Sequence, residues 1–271
     1  MTPAVSIIVP AFNQEKWIAE TLDSVLAQSI PDWECIVVND GSTDGTEAIA
    51  RSYAQKDARI KVVCQANGGL SAARNTGIKA SQAEFILPLD ADDKIAPEYL
   101  KKALARFKAH PNTKLVYCKA EYFGQKTGPW ELLPYNYKEF LLANCIFCSC
   151  MYRRSDYNST PGYDESMKKG WEDWDFLLHL LGPEDVVYQI PEVLFYYRIR
   201  QSSVTSVTKQ NEEDLLWEII LKHPDKYKKY LYKLRTKYFT DRHNPDLAKE
   251  KKLGHILFKP VRIIRSLKNR H

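Results

Sequence analysis

No apolar run in this chain approaches the about 18 residues needed to cross a bilayer. Met1-Thr2-Pro3 leads straight into an apolar stretch with no basic n-region of a secretory signal. Both absences point to a cytoplasmic chain. Glycine-rich phosphate loops are missing as well: G-x-G-x-x-G follows no strand, and G-x-x-x-x-G-K-[ST] does not occur. That argues against dinucleotide and P-loop chemistry. The six cysteines, at 35, 64, 118, 145, 148 and 150, lie mostly inside apolar runs, as reduced buried thiols do. Cys145, Cys148 and Cys150 cluster, but no second Cys/His pair has zinc-ligand spacing. Packing is therefore their expected role, with Cys148 and Cys150 sharing one face of a strand. Internal repeats, low-complexity linkers and nucleic-acid recognition motifs are absent too.

What is present suits a soluble core of ordinary size. The chain has 271 residues, 44% hydrophobic and 27% charged, enough to bury one large domain or two packed halves. Its net charge of +5 hides an asymmetry. Residues 206–271 hold 17 Lys/Arg against 8 Asp/Glu, so residues 1–205 are net acidic. A basic tail on an acidic body seeks an anionic partner. On a helical wheel over 247–270, Leu253, Ile256, Leu257, Ile264 and Leu267 share one face, opposite Lys251, Lys252, Lys259, Arg262, Arg265 and Arg270. Two readings stand side by side: a helix lying on an anionic membrane surface, or one docked on the body with a solvated basic face. Pro260 would kink it.

The first 110 residues alternate between two periods. Val5–Val9, Glu34–Val38, Ile60–Cys64 and Glu84–Leu87 are short apolar runs of the kind buried in parallel sheets. Between them, apolar residues recur at helical spacing, as at Trp17, Thr21, Leu22, Val25 and Leu26. Four such alternations, ending in a helix from Pro97 to about Ala109, predict an open, mostly parallel, doubly wound α/β sheet. Each strand ends in polar or glycine-rich residues: Asn13, Asp40, Gly68-Gly69 and Asp90 to Asp93. Parallel strands would gather these tips on one edge, where open α/β sheets bind ligands.

Past His110 the pattern becomes mixed. Leu115–Cys118, Phe147–Tyr152, Val186–Ile190 and Val193–Tyr197 read as strands, Glu121 to Pro134 as irregular, and Trp171 to Leu181 as a helix. From about Gln210 the chain reads as helical. The expected organisation is a ligand-binding half over 1–110, a second half over 111–205 and a basic extension over 206–271.

The chemistry-bearing stretch is Leu87-Pro88-Leu89-Asp90-Ala91-Asp92-Asp93, with three carboxylates in four positions. Crowded acids repel unless a cation or donors sit among them. A hard divalent ion is one solution. An acidic turn, with Asp92 or Asp93 capping the next helix, is the other.

Several pieces, taken in order, resemble a known family. Val9-Pro10-Ala11-Phe12-Asn13, Val38-Asn39-Asp40-Gly41-Ser42, Asn67 to Asn75, Asp90-Ala91-Asp92-Asp93 and Trp171-Glu172-Asp173 are similar to family 2 glycosyltransferases of the GT-A fold. The resemblance covers about residues 4–205. It implies an inverting enzyme that moves a sugar from a nucleotide diphosphate sugar, most often UDP-linked, to a saccharide or lipid-linked saccharide acceptor. Nucleic acid is not an implied partner. Pro10, Ala11, Phe12 and Asn13 would line the base and ribose. Asp40 would accept the uracil N3–H. Asn67, Gly68, Arg74 and Ala91 would border the nucleotide. Asp92, with Asp90, would hold Mn2+ or Mg2+, and Asp93 would orient the sugar or the ion. Asp173 would be the catalytic base. The family often carries Tyr-Arg-x-His where this chain has Tyr197-Arg198-Ile199-Arg200. An arginine cannot ligate a metal as imidazole does, so Arg200 would act as a cation against phosphate. A sugar nucleotidyltransferase and a non-catalytic sugar-nucleotide-binding module are the competing readings. The first would be expected to show a glycine-rich basic loop near residues 10–16, which hold no glycine and only Lys16.

Overall fold

Strand β1, Val5–Ala11, is buried at every position, because parallel neighbours flank it on both edges and helices cover the sheet. A computed structural model describes residues 2–200 and 212–228 of the chain. The chain divides into two compact units, Met1–Gln210 and Asn211–His271. In the first unit β1 pairs in parallel with β2, Trp33–Asp40, and with β4, Phe85–Pro88, while β2 pairs with β3, Ile60–Gln65. Strand β2 runs on into its polar tip at Asp40, whereas β1 ends at Ala11, β3 at Gln65 and β4 at Pro88, so that Asn13, Gly68-Gly69 and Asp90 to Asp93 lie in the loops that follow. Helix α1, Ile18–Leu26, buries Ile18, Thr21, Leu22 and Val25, the one-face spacing read from the sequence. Helices α2, Thr46–Lys56, α3, Leu70–Ala80, and α4, Tyr99–Ala109, complete the alternation. Gly77 lets α3 lie close on the sheet: a Cβ there would sit 2.5 Å from Ile8 Cγ2 and 3.0 Å from Val38 Cγ2.

Beyond β4 the sheet changes sense. Its order is β3-β2-β1-β4-β8-β6-β9-β5, with β7 on β6. The additional strands are β5, Lys94–Ile95, β6, Thr113–Gly124, β7, Gly128–Trp130, β8, Met151–Arg153, and β9, Val186–Ile199. The pairs β4–β8, β8–β6, β6–β7 and β5–β9 are antiparallel, and β6–β9 is parallel. Short helices α5, Tyr137–Phe140, and α6, Arg154–Asn158, precede α7, Glu172–Leu180. The expected α/β sheet, parallel in its first half and mixed in its second, is what forms.

Four local expectations are corrected. The strand expected from Phe147 begins only at Met151. Phe147 instead turns inward onto Phe195 and Trp130, so Cys148 and Cys150 share no strand face. The two short strands at 186–197 are one strand, with a register irregularity opposite Cys118–Ala120 that absorbs Pro191 and Glu192. The stretch from Glu121 is no loose loop but the end of β6 and its hairpin with β7. Finally, β5 intervenes between Asp93 and α4, whose N-cap is Glu98. Neither Asp92 nor Asp93 caps that helix.

In the second unit the described residues include helix α8, Glu212–Lys222. The stretch 247–270 lies outside the described residues. Among the described residues no helix is long and apolar enough to cross a membrane.

Candidate active site

At the tip of β2, Asp40 is nearly enclosed, 3% exposed. Its Oδ1 accepts from Gly68 N at 2.8 Å and Gln65 Nε2 at 2.7 Å, and its Oδ2 from Gly69 N at 2.8 Å. Asn67 Nδ2 donates to the Asp40 carbonyl at 3.0 Å. One carboxylate thus fixes the whole turn between β3 and α3. Gly69 adopts φ +88° there, a region glycine enters without steric cost. From the second half Lys168 Nζ donates to the Gly68 carbonyl. The β1 tip is laced to the β2 loop in the same way: Asn13, at φ 52°, donates from its N to Ser42 Oγ and accepts from Thr43 N at its Oδ1. Pro10 and Ala11 are buried strand residues, while Phe12 is 46% exposed and Asn13 is exposed.

At the tip of β4, Asp90 and Asp92 each pair with an arginine, and Asp93 with a backbone N–H. Asp90 Oδ1 accepts from Arg74 Nη2 at 2.8 Å, and its Oδ2 lies 3.5 Å from Cys148 Sγ. Asp92 Oδ2 pairs with Arg200 Nη2 at 2.8 Å, and its carbonyl accepts from Arg198 Nε at 2.7 Å. Asp93 Oδ1 accepts from the backbone N of Arg198 at 2.8 Å. Burial pushes the Asp92 carboxyl up to about 6, Arg200 opposing and Asp90 adding to the rise. Burial first, then Asp92 and Asp90, pushes Asp93 far above the carboxylate range. Asp93 is 1% exposed and its Oδ2 is buried with no hydrogen-bond partner. The one hydrogen bond of its side chain ties the β4 loop to β9. Ala91 is buried at 2% exposure between the paired acids.

Arg74 departs from expectation most. Its guanidinium is 1% exposed and bridges two acids: Nη2 to Asp90, and Nη1 to Glu172 Oε1 at 2.7 Å. Its charge is committed to two carboxylates from different parts of the fold. What it joins is informative, because Glu172 opens α7 immediately before Asp173. Trp171, just ahead, holds the left-handed conformation at φ 64°. Non-glycine residues rarely adopt it, and such strain gathers at functional sites. Asp173 Oδ1 accepts from Trp174 N at 2.7 Å, and its Oδ2 accepts from Asn144 Nδ2 at 3.4 Å. Burial and the neighbouring Glu172 raise its carboxyl to about 7, with Arg74 pulling the other way. A proton acceptor tuned near neutrality is the form a general base needs.

The structure therefore brings Asp90, Arg74, Glu172 and Asp173 together, with Asp92 on the same β4 loop and Arg200, just past the end of β9, paired to it. Asp40, Asn67 and Gly68 form a separate cradle at the β2 and β3 tips. Sequence reasoning missed Asn144, Lys168 and Gln14, whose Oε1 accepts from Arg200 Nη1 at 3.2 Å. They are single polar residues in no motif. The carboxylates of Asp90 and Asp92 fit Mn2+ or Mg2+ in donor type, since both ions take oxygen ligands. Asp90 beside Asp92 adds to the rise of the Asp92 carboxyl, a like-charge repulsion that a cation between them would relieve.

The sequence profile described as glycosyl transferase family 2 matches residues 6–160. The chain belongs to that family. Within it, the chain is 54% identical over 96 residues to the uncharacterized glycosyltransferase EpsJ of Bacillus subtilis, covering 35% of this chain and 28% of EpsJ. The chain spans well under half the length of the curated B. subtilis relatives it matches, 28% to 41%. Among solved structures, S. aureus TarS residues 1–349 in complex with UDP superposes with a TM-score of 0.64 at 26% identity, covering 82% of this chain and 66% of that one. The mannosyltransferase PcManGT of Pyrobaculum calidifontis, in complex with GDP-Man and Mn2+, gives 0.61 at 18% identity, covering 99% and 85%. The fold is thus of the GT-A type.

Proposed function

We propose that this family 2 member is an inverting glycosyltransferase. It moves a sugar from a nucleotide diphosphate sugar, UDP-linked by preference, to a hydroxyl of a saccharide or lipid-linked saccharide in cell-surface polysaccharide synthesis. The observation that carries the reading is Arg74, whose single guanidinium ties Asp90 of the acidic pair to Glu172 beside Asp173. The acids expected at the diphosphate and the expected base are thereby held in one rigid frame.

In this reading the nucleotide lies along the β1, β2 and β3 tips. Pro10, Ala11, Phe12 and Asn13 border the base. Asp40 Oδ2 accepts one hydrogen bond in the structure and keeps capacity for the uracil N3–H. Asp40 also presents the Asn67–Gly68 turn for close backbone approach. Asp92, with Asp90, holds Mn2+ or Mg2+, which when bound offsets the charge growing on the departing diphosphate. Arg200 adds a cation on the same side. Asp173 takes the acceptor's hydroxyl proton as that oxygen bonds to C1 from the far face. The C1–O bond to phosphate breaks, and its electron pair leaves with the nucleotide diphosphate. A single displacement needs no covalent enzyme intermediate. The basic stretch 247–270 would meet the anionic inner face of the cell membrane.

The TarS complex with UDP and the PcManGT complex with GDP-Man and Mn2+ support a nucleotide-sugar donor and a divalent ion. The test is donor turnover on a panel of UDP- and GDP-sugars with Mn2+, following product anomer by NMR. Inverted product, and a folded Asp173→Asn variant slower by about 10²–10⁴-fold, are expected. Retained configuration, or transfer by that variant at the parent rate, would remove the assignment.

A further inference from the structure

Two arginines serve the acidic pair, and they differ in how firmly they are committed. Arg74 is 1% exposed and tied to two carboxylates. It cannot leave Asp90 without abandoning Glu172 in the interior. Arg200 is 28% exposed at its side chain, and its partners are the Asp92 carboxylate and the neutral amide of Gln14. Its release strands no second acid.

The end of β9 aims at Asp92 twice. Arg198 Nε donates to the Asp92 carbonyl, and the Arg198 N–H to Asp93. Arg200, two residues on, projects to the same side and takes the Asp92 carboxylate. The backbone of Asp92 is thus clamped, while its side chain is held by the more accessible arginine alone. Asp92 Oδ2 is engaged at 2.8 Å. A divalent ion arriving there must either displace the guanidinium or share an oxygen with it, and two cations a few ångströms apart repel strongly at the low dielectric of a partly buried site.

We propose that Arg200 is the resident counter-cation of Asp92 and competes with a divalent ion for that carboxylate. The inference rests on the reading of Asp92 as an ion ligand. Ion binding then swaps one cation for another and releases a forked donor suited to phosphate oxygens. The ion affinity of this chain in the absence of nucleotide is set by the ion pair.

The test is Mn2+ titration of the full chain without nucleotide, reading free Mn2+ by electron paramagnetic resonance. Wild type, Arg200→Ala, Arg200→Gln and Asp92→Asn are compared, with circular dichroism melts to confirm folding. Arg200→Gln keeps much of the stem and carries the test if the alanine variant does not fold. Both Arg200 variants are expected to bind Mn2+ about tenfold tighter than wild type, a coupling of ordinary size between two sites. Asp92→Asn is expected to abolish binding. Equal or weaker binding by the Arg200 variants, with Asp92→Asn still abolishing it, overturns the competition and leaves the ion site standing. Mn2+ binding indifferent to Asp92→Asn, or undetectable in every variant, overturns both.

Discussion

Asp173 illustrates how one residue type takes two fates within a short distance. Asp93 has a backbone partner on one oxygen and none on the other, and its burial serves to fix β9. Asp173 is only partly buried, is oriented by Asn144 and its own helix, and is raised to about 7. Its base form is the ionised one, so kcat/KM should rise with pH through about 7, and the Asp173→Asn variant should lose that limb. Stability moves the other way. With a folded-state pKa above the unfolded 3.8, the native state binds more protons between those values, and Asp173 contributes stability that is lost as pH rises toward 7. Measured rate and denaturation midpoint should therefore diverge over that range. Motif residues such as Asp40, Asp90 and Asp92 were legible as candidates because strand tips in this fold face one edge. Their partners were not, since Arg74 and Glu172 stand 98 positions apart, and nothing in sequence spacing pairs them.

Among the elements, the buried central strands and the amphipathic helices were readable from period alone. Strand β1 is apolar almost throughout because both its faces are covered. The strands that sequence missed, β5 and β7, have two and three residues, too few to show a period. The region 147–150 is apolar enough to pass for strand, yet Phe147 packs into an aromatic cluster with Trp130 and Phe195. Only the packing distinguishes the two. The fit of α3 on the sheet belongs to this scale. Gly77→Ala would place a methyl 2.5 Å from Ile8 Cγ2, an overpacking expected to cost about 1–3 kcal/mol. Gly182→Ala, whose nearest neighbour is 3.5 Å away, should stay within about 0.5 kcal/mol. Urea denaturation midpoints of the two variants check the contrast.

Across the first unit as a whole, the parallel half and the mixed half are joined by few buried charges, and Arg74 is central to them. It reaches from α3 to the β4 tip and on to α7. Arg74→Met would leave Asp90 and Glu172 facing each other without a cation. Breaking a buried pair in this way typically costs about 3–5 kcal/mol, and adding Glu172→Gln should recover part of it. Thermal or urea unfolding measures both; a loss under about 1 kcal/mol would mean the bridge is better solvated than its 1% exposure indicates.

Sequence by itself determined the alternation of strands and helices, the polar strand tips and the family, because burial period and short motifs are local properties of the chain. Tertiary structure alone decided which charges meet: that Arg74 bridges Asp90 and Glu172, that Arg200 rests on Asp92, and that Asp93 takes the backbone N–H of Arg198. The reason is physical. A side chain's hydrogen-bonding type is written in its residue name, but its partner is set by whichever distant strand end the fold carries to within about 3 Å.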